Sequence, residues 1–312
     1  MEITQTAAAA NRLIEAIETV IIGKHEVVEL TVAGFLSGGH ILIEDIPGVG
    51  KTMLARALAI AAGGTFKRIQ FTPDLLPADV TGSSIFNQAT GKFEFREGPI
   101  FANVVVADEI NRATPKSQAA LLECMEEFTV TVDGTTYALP KPFLVMATEN
   151  PIEYEGTYSL PEAQLDRFIM RVNIGYPSPA DEVEIITRQI KRHPIEVVEA
   201  VMSAEEAVAL QAAVREVFIE DSLKEYIVEI VDKTRQHPDL ELGASPRGSL
   251  AIMRCAQAVA ALAAREYVTP DDIKRVAIPA LAHRIILKSE QRAQGLPAGN
   301  IVEEVLRATP LS

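Results

Sequence analysis

An apolar strand-like run, His40 to Ile43, leads into Glu44-Asp45-Ile46-Pro47-Gly48-Val49-Gly50-Lys51-Thr52-Met53, and a helical pattern opens at Lys51. That order of strand, glycine-bearing loop and helix is what a phosphate-binding loop requires. Glycines let the backbone wrap around the phosphates, successive amides and the helix N-terminus supply donors and positive potential, and lysine reaches the terminal phosphates. Residues Pro47 to Met53 are therefore expected to cradle a nucleotide, with Lys51 on its terminal phosphates and the Thr52 hydroxyl on magnesium. The pattern GxxxxGK[ST] places glycine where this chain carries Asp45, and a carboxylate there opposes phosphate binding unless it faces away.

A second group of reactive residues closes the apolar segment Asn103-Val104-Val105-Val106-Ala107 with Asp108 and Glu109. Ligands of α/β sheets bind at the carboxyl ends of strands, so both acids would meet a nucleotide held by the neighbouring loop. Asp108 would hold magnesium directly or through water, and Glu109 would act as general base on the attacking water. Other hydrolytic chemistries find no support. None of His25, His40, His193, His237 and His283 falls in an HExxH pattern, and there is no GxSxG elbow.

These residues need a scaffold, and the chain's hydrophobic patterning predicts one. A helix is expected over Ala7 to Ile22, a strand at His40 to Glu44 and a helix from Lys51 to Ala62. Strands follow at Phe66 to Phe71, Asn103 to Ala107, Phe143 to Thr148 and Phe168 to Asn173. The alternation implies an α/β fold: a mostly parallel sheet with helices on both faces. Asp133-Gly134, between Thr129 to Val132 and Thr135 to Ala138, predicts a two-residue hairpin turn, and a second hairpin is expected from Ile85 to Phe95. Gly175-Tyr176-Pro177-Ser178-Pro179 is a turn-rich break with no strand pattern after it, so the chain is divided at residue 176. Helices are expected downstream at Asp181 to Arg192, Ala204 to Val217, Ser222 to Gln236, Pro246 to Arg265 and Pro270 to Leu287.

Composition narrows the function classes. The 312 residues carry 29 Lys and Arg against 43 Asp and Glu, a formal charge of −14, the wrong sign for a protein that grips nucleic acid over a broad surface. With two cysteines and no CxxC pair, neither a disulfide framework nor a structural zinc site is expected, and a reducing cytoplasm fits. No run approaches the roughly 20 apolar residues of a membrane span.

The stretches Arg68-Ile69-Gln70-Phe71-Thr72-Pro73-Asp74-Leu75-Leu76-Pro77, Ala107-Asp108-Glu109-Ile110-Asn111-Arg112 and Leu160-Pro161-Glu162-Ala163-Gln164-Leu165-Asp166-Arg167-Phe168 resemble the signatures of the MoxR family of AAA+ ATPases, along nearly the whole chain. The resemblance implies a P-loop NTPase: a three-layer parallel sheet (residues 1–176, with two hairpin inserts) followed by an all-helical lid (residues 177–312). It implies ATP and magnesium as cofactors, Asn150 as the first sensor, Arg167 as an arginine finger for a neighbouring subunit, and Arg247 as the second sensor, in cis or in trans. Glu149 stands where the family pattern expects glutamine. A homo-oligomeric, hexameric ring that remodels or matures client proteins, with a von Willebrand factor A domain protein as companion, is the implied biology. Three other readings compete: a nucleotide-dependent non-catalytic scaffold, a magnesium-chelatase-like motor subunit, and a DNA-unwinding motor that the net charge disfavours.

Overall fold

The computed structural model describes residues 2–150, 158–190 and 192–310. The first half runs α1 (Ile3–Glu18), α2 (His25–Leu36), β1 (His40–Glu44), α3 (Lys51–Ala61), β2 (Phe66–Gln70), α4 (Pro77–Thr81), β3 (Gly82–Asn87), β4 (Lys92–Glu97), β5 (Val104–Asp108), α5 (Pro115–Glu127), β6 (Thr129–Val132), β7 (Thr135–Ala138), β8 (Leu144–Glu149), α6 (Glu162–Leu165) and β9 (Phe168–Val172). The second half runs α7 (Pro179–Gln189), α8 (Ala204–Arg215), α9 (Asp221–Gln236), β10 (Leu240–Leu242), α10 (Pro246–Leu262), α11 (Pro270–Leu281), β11 (Ile286–Leu287), α12 (Ser289–Ala293) and α13 (Ala298–Arg307).

Five strands form one sheet in the order β2-β5-β8-β1-β9, and every pairing in it is parallel. Alternate residues of each strand face opposite layers. Ile41, Ile43, Val104, Val106, Leu144 and Met146 pack into the core under α1–α3. Leu42, Val105, Ala107, Val145 and Ala147 pack with Leu121, Leu122 and Met125 of α5. Both faces of the sheet are buried, so the strands read as continuous apolar runs. The first of these cores does not stop at Tyr176: Leu13, Ile17 and Phe35 of α1 and α2 share it with Leu210, Ile252 and Val259 of α8 and α10.

The sequence reading misses α2, whose residues Val28, Leu30, Val32, Ala33, Phe35 and Leu36 are all buried. A helix enclosed on most sides has no polar stripe and hence little periodicity. The helix expected over Pro270 to Leu287 ends at Leu281, because Ile286 and Leu287 turn to pair antiparallel with β10. That short ribbon corrects the expectation that no strand follows Tyr176. Ser203 caps α8, its hydroxyl accepting from Glu206 N–H while the Glu206 carboxylate accepts from Ser203 N–H. Both hairpins form, and the one expected from Ile85 to Phe95, the first in chain order, extends to Gly82–Asn87 against Lys92–Glu97. Among the described residues no helix is long and apolar enough to cross a membrane. Cys124 and Cys255 are free, and burial pushes both thiols up to about 12.

His40, at the start of β1, is fully enclosed: Nδ1 accepts from Val145 N–H at 3.0 Å and Nε2 faces Met125 O at 2.9 Å. Burial holds its pKa down to about 4, against an ordinary 6.5. A neutral histidine of this kind stabilises the fold fully above pH 6.5, and the contribution is lost as pH falls toward 4, because the unfolded chain takes up the proton first. Unfolding by urea at pH 7 and pH 5 should reveal about 2 kcal/mol less stability at the lower pH from this residue, with a shallower dependence in His40→Gln.

Candidate active site

The loop between β1 and α3 opens outward at Pro47 and Gly48, which are exposed. Gly48 and Gly50 adopt left-handed backbone (φ 87° and 95°), and a Cβ on Gly48 would meet nothing within 4 Å. Gly50 caps α3, so the N–H groups of Lys51, Thr52 and Met53 have no partner within the helix. Orphan amides, an exposed loop with open space at Gly48 and a lysine at its base fit a chain of phosphates. Val49 and Met53 pack against the core behind the loop and hold it in place. The Lys51 ammonium donates to Asp45 O at 2.5 Å and to Glu149 O at 3.3 Å. Burial lowers its pKa, opposed by the charges of Asp45, Asp108 and Glu109.

Asp45 does face away from the phosphates. Its Oδ2 accepts from Ile174 and Gly175 N–H at 2.6 and 2.7 Å, and Oδ1 accepts from Ile46 N–H at 2.8 Å. The departure from the glycine pattern therefore leaves the carboxylate engaged by the backbone after β9 rather than turned into the loop, while its charge still acts on Lys51.

Strand β5 brings Asp108 and Glu109 beside this loop, since β8 alone separates it from β1. Thr148 on β8 joins the two acids: its hydroxyl donates to Asp108 Oδ1 at 2.6 Å and accepts from Glu109 N–H at 2.9 Å. Glu109 has left-handed backbone, φ 56° and ψ 50°, a conformation that costs about 1 kcal/mol or more in a non-glycine residue and that recurs where a side chain must be aimed. Gln70 Nε2 donates to its Oε2 at 2.7 Å and Arg112 pairs with the same oxygen at 3.0 Å. Arg68 donates to Asp108 Oδ2 from Nε at 2.9 Å and from Nη2 at 2.5 Å. Thr52 and Asp108 are of the right chemistry to hold magnesium, with Asp108 Oδ2 released from Arg68. Among the described residues no cluster of three acids, histidines or cysteines could hold a metal, so the remaining ligands would come from nucleotide and water.

Asn150 follows β8 next to Lys51's contact and is buried, while residues 151–157 lie outside the described residues. Its neighbour Glu149 is paired in register with Glu44. Burial, reinforced by the Glu44 charge and opposed by Arg171, pushes Glu149 up to about 7. At neutral pH a large share of it is uncharged, electrically like the glutamine that the resemblance expects.

Arg167 and Arg247 are brought together, but elsewhere. Arg167 immediately precedes β9, whose first residue pairs with His40 at the start of β1. The phosphate loop leaves the other end of β1, and a strand of that length spans roughly 15 Å. Arg167 and Arg247 share one carboxylate, Glu126 of α5, at 2.9 and 2.5 Å. They line a cleft of about 250 Å³ with Arg254 and Arg284. Arg167 does not pair with its neighbour Asp166, which instead accepts from Arg284 and Ser245, each at 2.8 Å. The residues that sequence reasoning missed, Arg68, Gln70, Glu126 and Thr148, all act across strands or layers. The spacing Arg68-x-Gln70 on β2 was the one available signal, because it sets two polar side chains on one face of an edge strand.

Residues 40–170 match the family described as ATPase family associated with various cellular activities (AAA), and residues 232–305 match the AAA lid domain. The chain is 56% identical to YeaC of Bacillus subtilis, covering 95% of this chain and 93% of that one. It is 42% identical to Chaperone MoxR1 of Mycobacterium tuberculosis, covering 96% and 81%. It also superposes, with a TM-score of 0.92 and 39% identity, on the crystal structure of a candidate ATPase from Cytophaga hutchinsonii, covering 99% and 97% of the two chains. The phosphate loop, the acids closing β5, the sheet order and these relatives converge: the chain belongs to the MoxR family of AAA+ ATPases.

Proposed function

We propose that the chain hydrolyses ATP with magnesium at a site shared by two copies of itself and uses the turnover to remodel or mature other proteins. One copy supplies the loop from Pro47 to Met53, including Lys51 and Thr52, together with Asp108, Glu109 and Asn150. The next copy supplies Arg167 and Arg247. The observation that carries this reading is the placement of the two arginines at the end of the sheet opposite the chain's own phosphate loop. A ring built by a head-to-tail contact presents that end to a neighbour's loop. On this reading Arg247 acts in trans. Magnesium, when bound, neutralises charge developing on the phosphates. Lys51 and the α3 amides orient them, Glu109 accepts the proton of the attacking water, and Arg167 offsets the negative charge of the transition state.

A chaperone-like role agrees with the name of the Mycobacterium tuberculosis relative and with the two inserted hairpins. Phe86 and Phe93 are 55% and 73% exposed on the first hairpin, a surface suited to non-native polypeptide. Phe95 stacks on Tyr137 of the second hairpin at 4.1 Å, so a displacement of either is passed to the other. We divide the chain at Tyr176 into a nucleotide-binding part (1–176) and a lid (177–312). A hexameric ring in the cytoplasm with a von Willebrand factor A domain protein completes the reading.

The test is magnesium-dependent ATP hydrolysis over a range of protein concentrations. Specific activity is expected to rise steeply with concentration as shared sites assemble. A rate per chain independent of concentration would exclude sharing. ATP binding without hydrolysis at any concentration would favour the scaffold.

A further inference from the structure

Asp45 joins parts of the molecule that the phosphate loop alone does not reach. It is the first residue after β1 and is 8% exposed. Its own N–H donates to Glu149 O at 3.2 Å, and its carbonyl receives the Lys51 ammonium. Its carboxylate gathers three backbone amides, two of which, Ile174 and Gly175, lie where the chain leaves β9. Gly175 has left-handed backbone, φ 66°. It is followed by Tyr176 and Pro177, and α7 begins at Pro179. The path from the lysine that would touch phosphate to the outlet of the sheet therefore passes through one residue.

We propose that Asp45 is a positioning residue that couples nucleotide in the phosphate loop to the Ile174–Gly175 outlet, and through it to α7 and the helical half. This rests on the phosphate-loop reading. A nucleotide drawing Lys51 toward its phosphates pulls on the Asp45 carbonyl, and the carboxylate transmits the shift to the Ile174 and Gly175 amides that it accepts from. In the reverse direction, a turn of the chain at Gly175 displaces Asp45 and reshapes the loop. Coupling of this kind is reciprocal: a nucleotide that favours one arrangement of Asp45 and the two amides is itself favoured by that arrangement.

The experiment is hydrogen exchange of the full chain, followed in the segment Asn173 to Tyr176, with and without magnesium and a non-hydrolysable ATP analogue. In the wild type the analogue is expected to change exchange at Ile174 and Gly175 about tenfold, within the usual coupling range. Asp45→Asn is expected to lose that response and to bind the analogue about tenfold more weakly, and Asp45→Gly, which restores the glycine pattern, should behave alike. A wild type that binds the analogue with no change at these two amides overturns the coupling whatever the variants do, and reduces Asp45 to a fixed staple. An Asp45→Asn chain that retains the response overturns it equally. Failure of the wild type to bind the analogue removes the phosphate-loop reading itself, with the coupling, and is distinguished by the binding measurement.

Discussion

Glu109→Gln is expected to bind ATP as the parent chain does and to turn it over about 10²–10⁴ times more slowly, the range that a positioned general base contributes. Glutamine keeps the size of the side chain and can still receive the Gln70 and Arg112 donors through its carbonyl oxygen. It cannot accept a proton from water. The left-handed backbone at Glu109 makes the position demanding of structure as well as of chemistry, so the conservative substitution is the informative one. A fall in kcat with unchanged nucleotide affinity, measured by single-turnover hydrolysis and by equilibrium binding, assigns the loss to chemistry. Unchanged kcat would remove Glu109 from the mechanism and bring the scaffold reading forward. A loss of binding would instead mean that the substitution disturbs Asp108 through their common partner Thr148.

What was legible in the sequence is what depends on neighbours in sequence. The phosphate loop, the acids closing β5 and the Asp133-Gly134 hairpin each occupy a few consecutive residues whose types dictate local backbone, and the strands betray themselves as apolar runs because both faces of the sheet are covered. Register is a different kind of information. Gln70 reaches Glu109 because β2 pairs with β5 in a register that sets Gln70 beside Asp108. Thr148 reaches both acids from β8, on the other side of β5. No local pattern encodes those juxtapositions. Asp45 shows the same limit: its residue type suggested a conflict with phosphate, and only the course of the chain after β9 supplies the amides that turn it aside. Arg167 is the sharpest case, since its motif was readable but its distance from its own loop follows from strand direction.

That separation makes the second large prediction a test of assembly as much as of chemistry. Arg167→Ala is expected to lower ATP turnover about 10³-fold, the lower end of what an arginine finger supplies, while each chain still binds nucleotide with its own intact loop. In the folded subunit Arg167 and Arg247 rest on Glu126, a partly exposed pair of contacts worth little in stability, so the variant should fold normally and the loss should be catalytic. Mixing decides where the arginine acts. Arg167→Ala chains keep Glu109, and Glu109→Gln chains keep Arg167; neither variant alone has a complete site. In a ring assembled at random from equal amounts, roughly a quarter of the interfaces join an intact loop and base from one variant to an intact arginine from the other. Those interfaces should hydrolyse ATP, and activity should reappear on mixing two inactive preparations. If Arg167 instead served its own chain, every site in the mixture would still lack one of the two groups, and mixing would restore nothing.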